Sequence, residues 1–179
     1  MSVVEVDKKI ESLWKEAESM QASLSRLIAE VHADTKLSEE GKQEEIDALT
    51  EGHRAKLTDM RDAEKQLVDT AILDLERKID SRTGNTASDI IAFRDAQDRA
   101  ERLESAEDAE RLMKRAIVTE DDSLAHAVFR RSLEHGYRSP VDAFTKARPE
   151  LAEVASDLSA LTSFRNKSFE RAVRYAVTV

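Results

Sequence analysis

The chain has 179 residues, 36 % of them Asp, Glu, Lys or Arg, and a formal net charge of −9. It has no cysteine, which excludes disulfides, thiolate nucleophiles and Cys-ligated zinc together. Only 4 Gly and 2 Pro punctuate it, so its helices should be few and long, and 40 % apolar residues at helical spacing are too many for a disordered chain.

No apolar run reaches the roughly 20 residues that span a bilayer, and the opening residues show no signal peptide. The expectation is a soluble protein made in the cytoplasm, with no membrane partner.

The first arm carries Val3, Val6, Ile10, Leu13, Ala17, Met20, Leu24, Leu27 and Val31, separated by alternating steps of three and four. That is a heptad seam sustained over about four heptads, and Trp14 and Ile28 widen it. A helix of about 30 residues is about 45 Å long, and its stripe must be covered by something. The seam residues are therefore assigned to core or self-association. Trp14, Met20 and Met60 are assigned to packing.

The pattern breaks at Asp34-Thr35-Lys36-Leu37. Ser38 then offers an N-cap, with Glu39 and Glu40 at the positive end of the helix dipole. The second arm carries Ile46, Leu49, Leu57, Met60, Leu67, Ala71, Leu75 and Ile79, its spacing drifting towards fours, as in a globular bundle. Gly41 and Gly52 lie inside it, each costing about 1 kcal/mol against Ala. Residues 81–85, with Gly84 suited to a left-handed cap, form a stop. A short link between two such arms predicts an antiparallel helical hairpin.

A third helix begins at the box-like cap Thr86-Ala87-Ser88-Asp89 and carries Ile90, Phe93, Ala96, Ala100, Leu103, Ala106, Ala109, Met113 and Ile117. Its alanines allow close approach by a neighbour. The pairs Asp95/Arg99, Asp98/Arg102, Glu107/Arg111 and Glu110/Lys114 favour one helix over residues 94–115. Another cap at Thr119-Glu120-Asp121-Asp122 starts a short helix with Leu124, Val128, Phe129 and Leu133, ending at Gly136. Ser139-Pro140-Val141-Asp142 predicts a further start, with Ser139 as N-cap and Pro140 first in the helix. Pro149 opens the last helix, whose stripe runs from Leu151 to Ala176; Thr162-Ser163 is an open candidate for an interruption. No segment shows period-two alternation, so strands are not expected.

The fold class is thus all-α: a long antiparallel hairpin with coiled-coil-like arms over residues 3–83, then a helical bundle region over 86–178. Charge is divided between them. Residues 123–179 hold nine Lys/Arg against six Asp/Glu, leaving nineteen against thirty-one in the first 122.

No catalytic or metal-binding constellation is visible. A di-iron bundle requires Glu-x-x-His pairs, and none occurs. His32, His53, His126 and His135 are scattered without ligand spacing, and His53, near an apolar stripe, reads as a packed or hydrogen-bonded ring. The carboxylates fall mostly on polar helix faces, where they are solvated rather than set in a cleft for acid–base work. There is no phosphate loop, nucleophile elbow or dinucleotide fingerprint. The expectation is a non-enzyme without cofactors. One patch stands out: Arg165, Lys167, Arg171 and Arg174, interleaved with Phe164, Phe169 and Tyr175. It suits a solvated terminal helix face, an acidic protein partner or, ranking below these, nucleic acid phosphates.

The stretch Leu37-Ser38-Glu39-Glu40-Gly41-Lys42-Gln43-Glu44-Glu45-Ile46, continuing through His53-Arg54-Ala55-Lys56-Leu57, is similar to small helical proteins encoded among the head and structural genes of actinobacterial tailed phages and prophages. The resemblance covers about 25 residues of the hairpin and carries over no catalytic residue. It implies a virion-assembly or head-associated role, in the host cytoplasm or the virion. A homo-oligomer is expected, with contacts through Leu13, Leu24, Leu27, Leu67 and Leu75 and a capsid- or portal-type protein meeting the basic C-terminal helix. A cytosolic coiled-coil adaptor and a nucleic-acid-binding protein are the alternatives.

Overall fold

The computed structural model describes residues 3–80 and 87–177 and is all-α, with no strand among the described residues. In chain order the helices are α1 (Val3–Ala33), α2 (Glu39–Asp80), α3 (Ala87–Glu101), α4 (Ala106–Val118), α5 (Asp122–His135), α6 (Arg138–Ala147), a 3₁₀ turn (Pro149–Leu151), α7 (Ala152–Asn166) and α8 (Ser168–Arg174). The stop at residues 81–85 and the cap residue Thr86 lie outside the described residues.

The chain divides into two compact units, Met1–Thr70 with Lys167–Val179, and Ala71–Asn166. These cut the chain differently from the boundary near residue 85 expected from sequence. The last turns of α2 go with the bundle, because Ala71, Ile72, Leu75 and Ile79 are buried there. The C-terminal segment goes with the hairpin, because its polar side chains bond to it, as described below.

In the first unit, α1 and α2 are antiparallel arms of a hairpin. The turn is tied locally: Asp34 Oδ1 accepts from Lys36 N at 2.7 Å, and Ser38 Oγ accepts from Gly41 N at 3.1 Å, the cap its sequence predicts. The arms meet with Trp14 against Glu64 and with Ala17 sharing an apolar cluster with Leu57 and Met60. Val6, Ile10, Ala17 and Leu24 of the seam are buried within the single chain. Leu13, Met20, Leu27, Val31 and Leu67 remain half-buried.

In the second unit α5 is central and packs on α3, α4, α6 and α7. Leu124, Ala125, Val128 and Phe129 are buried on it, and the Phe129 ring stacks on Phe144 of α6 at 4.3 Å between centroids. Ala96 and Ala100, both buried, let α3 approach α5 closely. α5 ends as predicted at Gly136, whose φ of 71° is left-handed, with Tyr137 N donating to Ser132 O at 2.8 Å.

Three local expectations are corrected. The third helix is not continuous: it breaks into α3 and α4 because Ser105 is extended and its Oγ accepts from Asp108 N at 3.1 Å, recapping the chain. Arg102 therefore lies beyond α3 and the Asp98/Arg102 pair is absent among the described ion pairs. Asp95/Arg99 and Glu110/Lys114 do form, at 3.8 and 2.5 Å, whereas Arg111 turns to Asp108 instead of Glu107. Secondly, α6 starts at Arg138 with Tyr137 in the cap position, so Ser139 lies inside it and makes no cap bond. Pro140 is still tolerated there, since a helix's first N–H groups have no intrahelical acceptor. Thirdly, the last helix is not continuous to Ala176: it breaks at Lys167 into α7 and α8, while Thr162, left open as an interruption, is buried within α7.

Candidate functional site

The most elaborate polar constellation of the first unit centres on Glu64. This carboxylate is fully buried, on the apolar side of α2 one turn after Met60 and one turn before Val68. A charge there survives only if its oxygens are saturated with donors. They are: Trp14 Nε1 and the Tyr175 hydroxyl each donate to Oε2 at 2.7 Å, and Arg171 Nε donates to Oε1 at 2.6 Å. Burial, and then the carboxylate it donates to, push the Tyr175 phenol far above its ordinary range. Around this centre, the Arg174 guanidinium lies 3.9 Å over the Trp14 ring and 3.6 Å from Glu18. Gln21 Nε2 donates to the carbonyls of Arg174 and Ala176 at 3.1 and 2.7 Å, satisfying the end of α8. Together these contacts latch the C-terminal segment onto the hairpin.

The four basic residues singled out from sequence are thus not one open patch. Arg171 is an internal ion-pair partner with 10 % of its side chain exposed, and Arg174 is stacked on Trp14. Lys167 is exposed and 3.9 Å from Glu170, while Arg165 is half-buried on α7, in the other unit. Because the basic side of α8 is turned inward, its apolar side is turned out: Phe169 is 79 % and Val173 57 % exposed, one turn apart. Sequence reasoning missed Glu64 and took Trp14 for packing alone. The available signal was a lone acid at the i+4 position between Met60 and Val68 of an apolar stripe.

No family model, curated protein or solved structure matches this chain.

Besides a concavity of about 370 Å³ beside Gly136, the second unit has a pair lined by arginine and acidic side chains. One, of about 490 Å³, is lined by Ile117, Glu120, Asp122, His126, Ala147, Arg148, Glu150 and Leu151. His126 is 2 % exposed, packs edge-on against Phe144 at 5.5 Å, and its Nδ1 has no partner among the described residues. Burial first, then the Arg148 guanidinium, lower its pKa to about 4 against a smaller opposing pull from Asp122, so the ring is neutral near pH 7. Arg148 is held at 2.5 Å by Asp122 and lies over the Phe144 ring at 4.9 Å. Glu120, at φ 54°, is left-handed. The other concavity is an open groove at the α3–α4 break, lined by Arg99, Arg102, Leu103, Asp108, Arg111, Leu112 and Arg115.

His53, by contrast, is half-buried with Nδ1 2.8 Å from Leu49 O. Among the described residues no group of three or more His, Asp or Glu side chains is placed to hold a metal ion, and no helix is long and apolar enough to cross a membrane.

Proposed function

We propose that this chain is a non-enzymatic, self-associating structural or assembly protein, associated with the head of a phage-like particle. The observation that supports it best is the inversion of α8, whose arginines are spent on the hairpin while Phe169 and Val173 face solvent. Two apolar side chains one turn apart, beside the exposed Lys167, make an anchor of the kind that fills a pocket on a larger protein. The larger partner is a capsid- or portal-type protein with an apolar pocket and an acidic rim. Self-association draws on the half-buried seam residues Leu13, Leu27, Val31 and Leu67, since Val6, Ile10 and Leu24 are already covered within the chain.

Coexpression with a coat or portal protein of an actinobacterial tailed phage tests this reading. Wild-type chain is expected to remain with the assembled particle through sizing, while Phe169→Asp with Val173→Asp is lost from it with an unchanged thermal melt. Equal retention of both, or of neither, rules the reading out.

A further inference from the structure

We propose that the groove at the α3–α4 break binds a compact, multiply charged oxyanion of the phosphate class, such as the diphosphate group of a small molecule. The groove has a volume of about 450 Å³ and four of its seven lining residues are arginines, in a chain with 37 acids and 28 bases. Arg99 comes from the last turn of α3 and Arg102 from just beyond it, and Arg111 and Arg115 stand one turn apart on α4. Like charges at that spacing repel, and an anion between them removes the repulsion. Guanidinium forks match the oxygens of phosphate two at a time.

The pairing pattern points the same way. Arg99 is only loosely engaged by Asp95 at 3.8 Å, and Arg111 is held by Asp108 within the groove. Arg102 and Arg115 have no ion-pair partner among the described residues, although acids are plentiful nearby in sequence. Arg102 is released because the Ser105 cap ends α3 before it, removing it from the register of Asp98. The helix break is therefore what assembles the four arginines, with buried Leu103 and half-buried Leu112 as an apolar floor.

A small ligand fits better than a polymer. Asp108 lies in the groove, Glu101, Glu104 and Glu107 flank it along the chain, and the net charge of −9 repels a long polyanion.

Pyrophosphate titrated into the full chain, followed by calorimetry and by amide chemical shifts at about 0.15 M salt, tests the proposal. The expected result is saturable binding with a dissociation constant of about 1 mM or tighter. Arg102→Ala with Arg115→Ala should weaken it about tenfold or more, with Arg102→Lys with Arg115→Lys intermediate. Shifts should localise to residues 99–115, and Lys8→Ala should bind as wild type. The proposal falls if pyrophosphate gives no more response than sulfate, if the alanine pair binds unchanged, or if a single-stranded oligonucleotide of equal charge binds more tightly than pyrophosphate.

Discussion

The hydroxyl of Tyr175 and the indole N–H of Trp14 converge on one oxygen of Glu64, each at 2.7 Å, although Tyr175 is 111 residues from Glu64 in the chain. The other oxygen takes Arg171, so a single buried acid joins both arms of the hairpin to the C-terminal segment.

Removing that acid should be costly. Glu64→Ala removes the buried acceptor shared by Trp14, Tyr175 and Arg171 and is expected to lower unfolding stability by about 3–5 kcal/mol. Tyr175→Phe, which deletes one bond to a charged acceptor, should cost about 1.5–3 kcal/mol. Urea unfolding followed by circular dichroism checks both, and a loss below about 0.5 kcal/mol for Glu64→Ala would refute the latch.

Trp14 is the only tryptophan, so its emission reports the latch directly. Arg174→Ala, which uncovers one face of the indole, should red-shift the spectrum while α1 and α2 keep their helical signal. The expected stability loss is about 0.5–2 kcal/mol. Unchanged emission would mean the guanidinium does not rest on the ring in solution.

Acid should weaken the second unit through His126. Its folded pKa, about 4, lies below the ordinary 6.5, so the unfolded chain binds the proton more readily. The stability that depends on the neutral ring is complete above pH 6.5 and is lost as pH falls through about 4. The loss approaches roughly 3 kcal/mol. Asp122, Arg130 and Arg148 act directly on the ring's titration, with Glu120 and Glu150 lining the same cleft. Denaturant midpoints across pH 4–7 should flatten in His126→Gln; an equally steep profile in that variant would assign the acid sensitivity elsewhere.

Two glycines should respond oppositely to alanine. Gly52 lies inside α2 with nothing within 4 Å of an added Cβ, so Gly52→Ala should stabilise by up to about 1 kcal/mol. Gly136 has a left-handed φ of 71°, so Gly136→Ala should destabilise by about 1–2 kcal/mol. Thermal melts of the two variants on either side of wild type are the check.

Much of this was legible because it is local. The three-four spacing from Val3 to Val31 specified a long amphipathic helix, Asp34 and Ser38 specified the turn, and Gly136 specified an α-helix end, each within a few residues of chain. The α3–α4 break was also written locally, in Ser105 and Asp108, but the flanking charge pairs argued for continuity and masked it. Of the four pairs, the two that form, Asp95/Arg99 and Glu110/Lys114, lie on either side of the break, and at a few tenths of a kcal/mol each they do not outweigh a satisfied cap.

The sequence by itself determined the helical class, the hairpin and most helix ends, because backbone hydrogen bonds and side-chain period act over one or two turns. It could not determine what the charged groups do. Whether Arg171 is solvated or buried depends on Glu64, 107 residues away, and whether Phe169 is core or surface follows from which side of α8 those arginines pull inward. A carboxylate's cost or benefit depends on the dielectric and donors around it. Those come from distant segments, so only the tertiary structure decided that Glu64 is a latch, His126 a neutral buried ring, and the arginines around Ser105 a single groove.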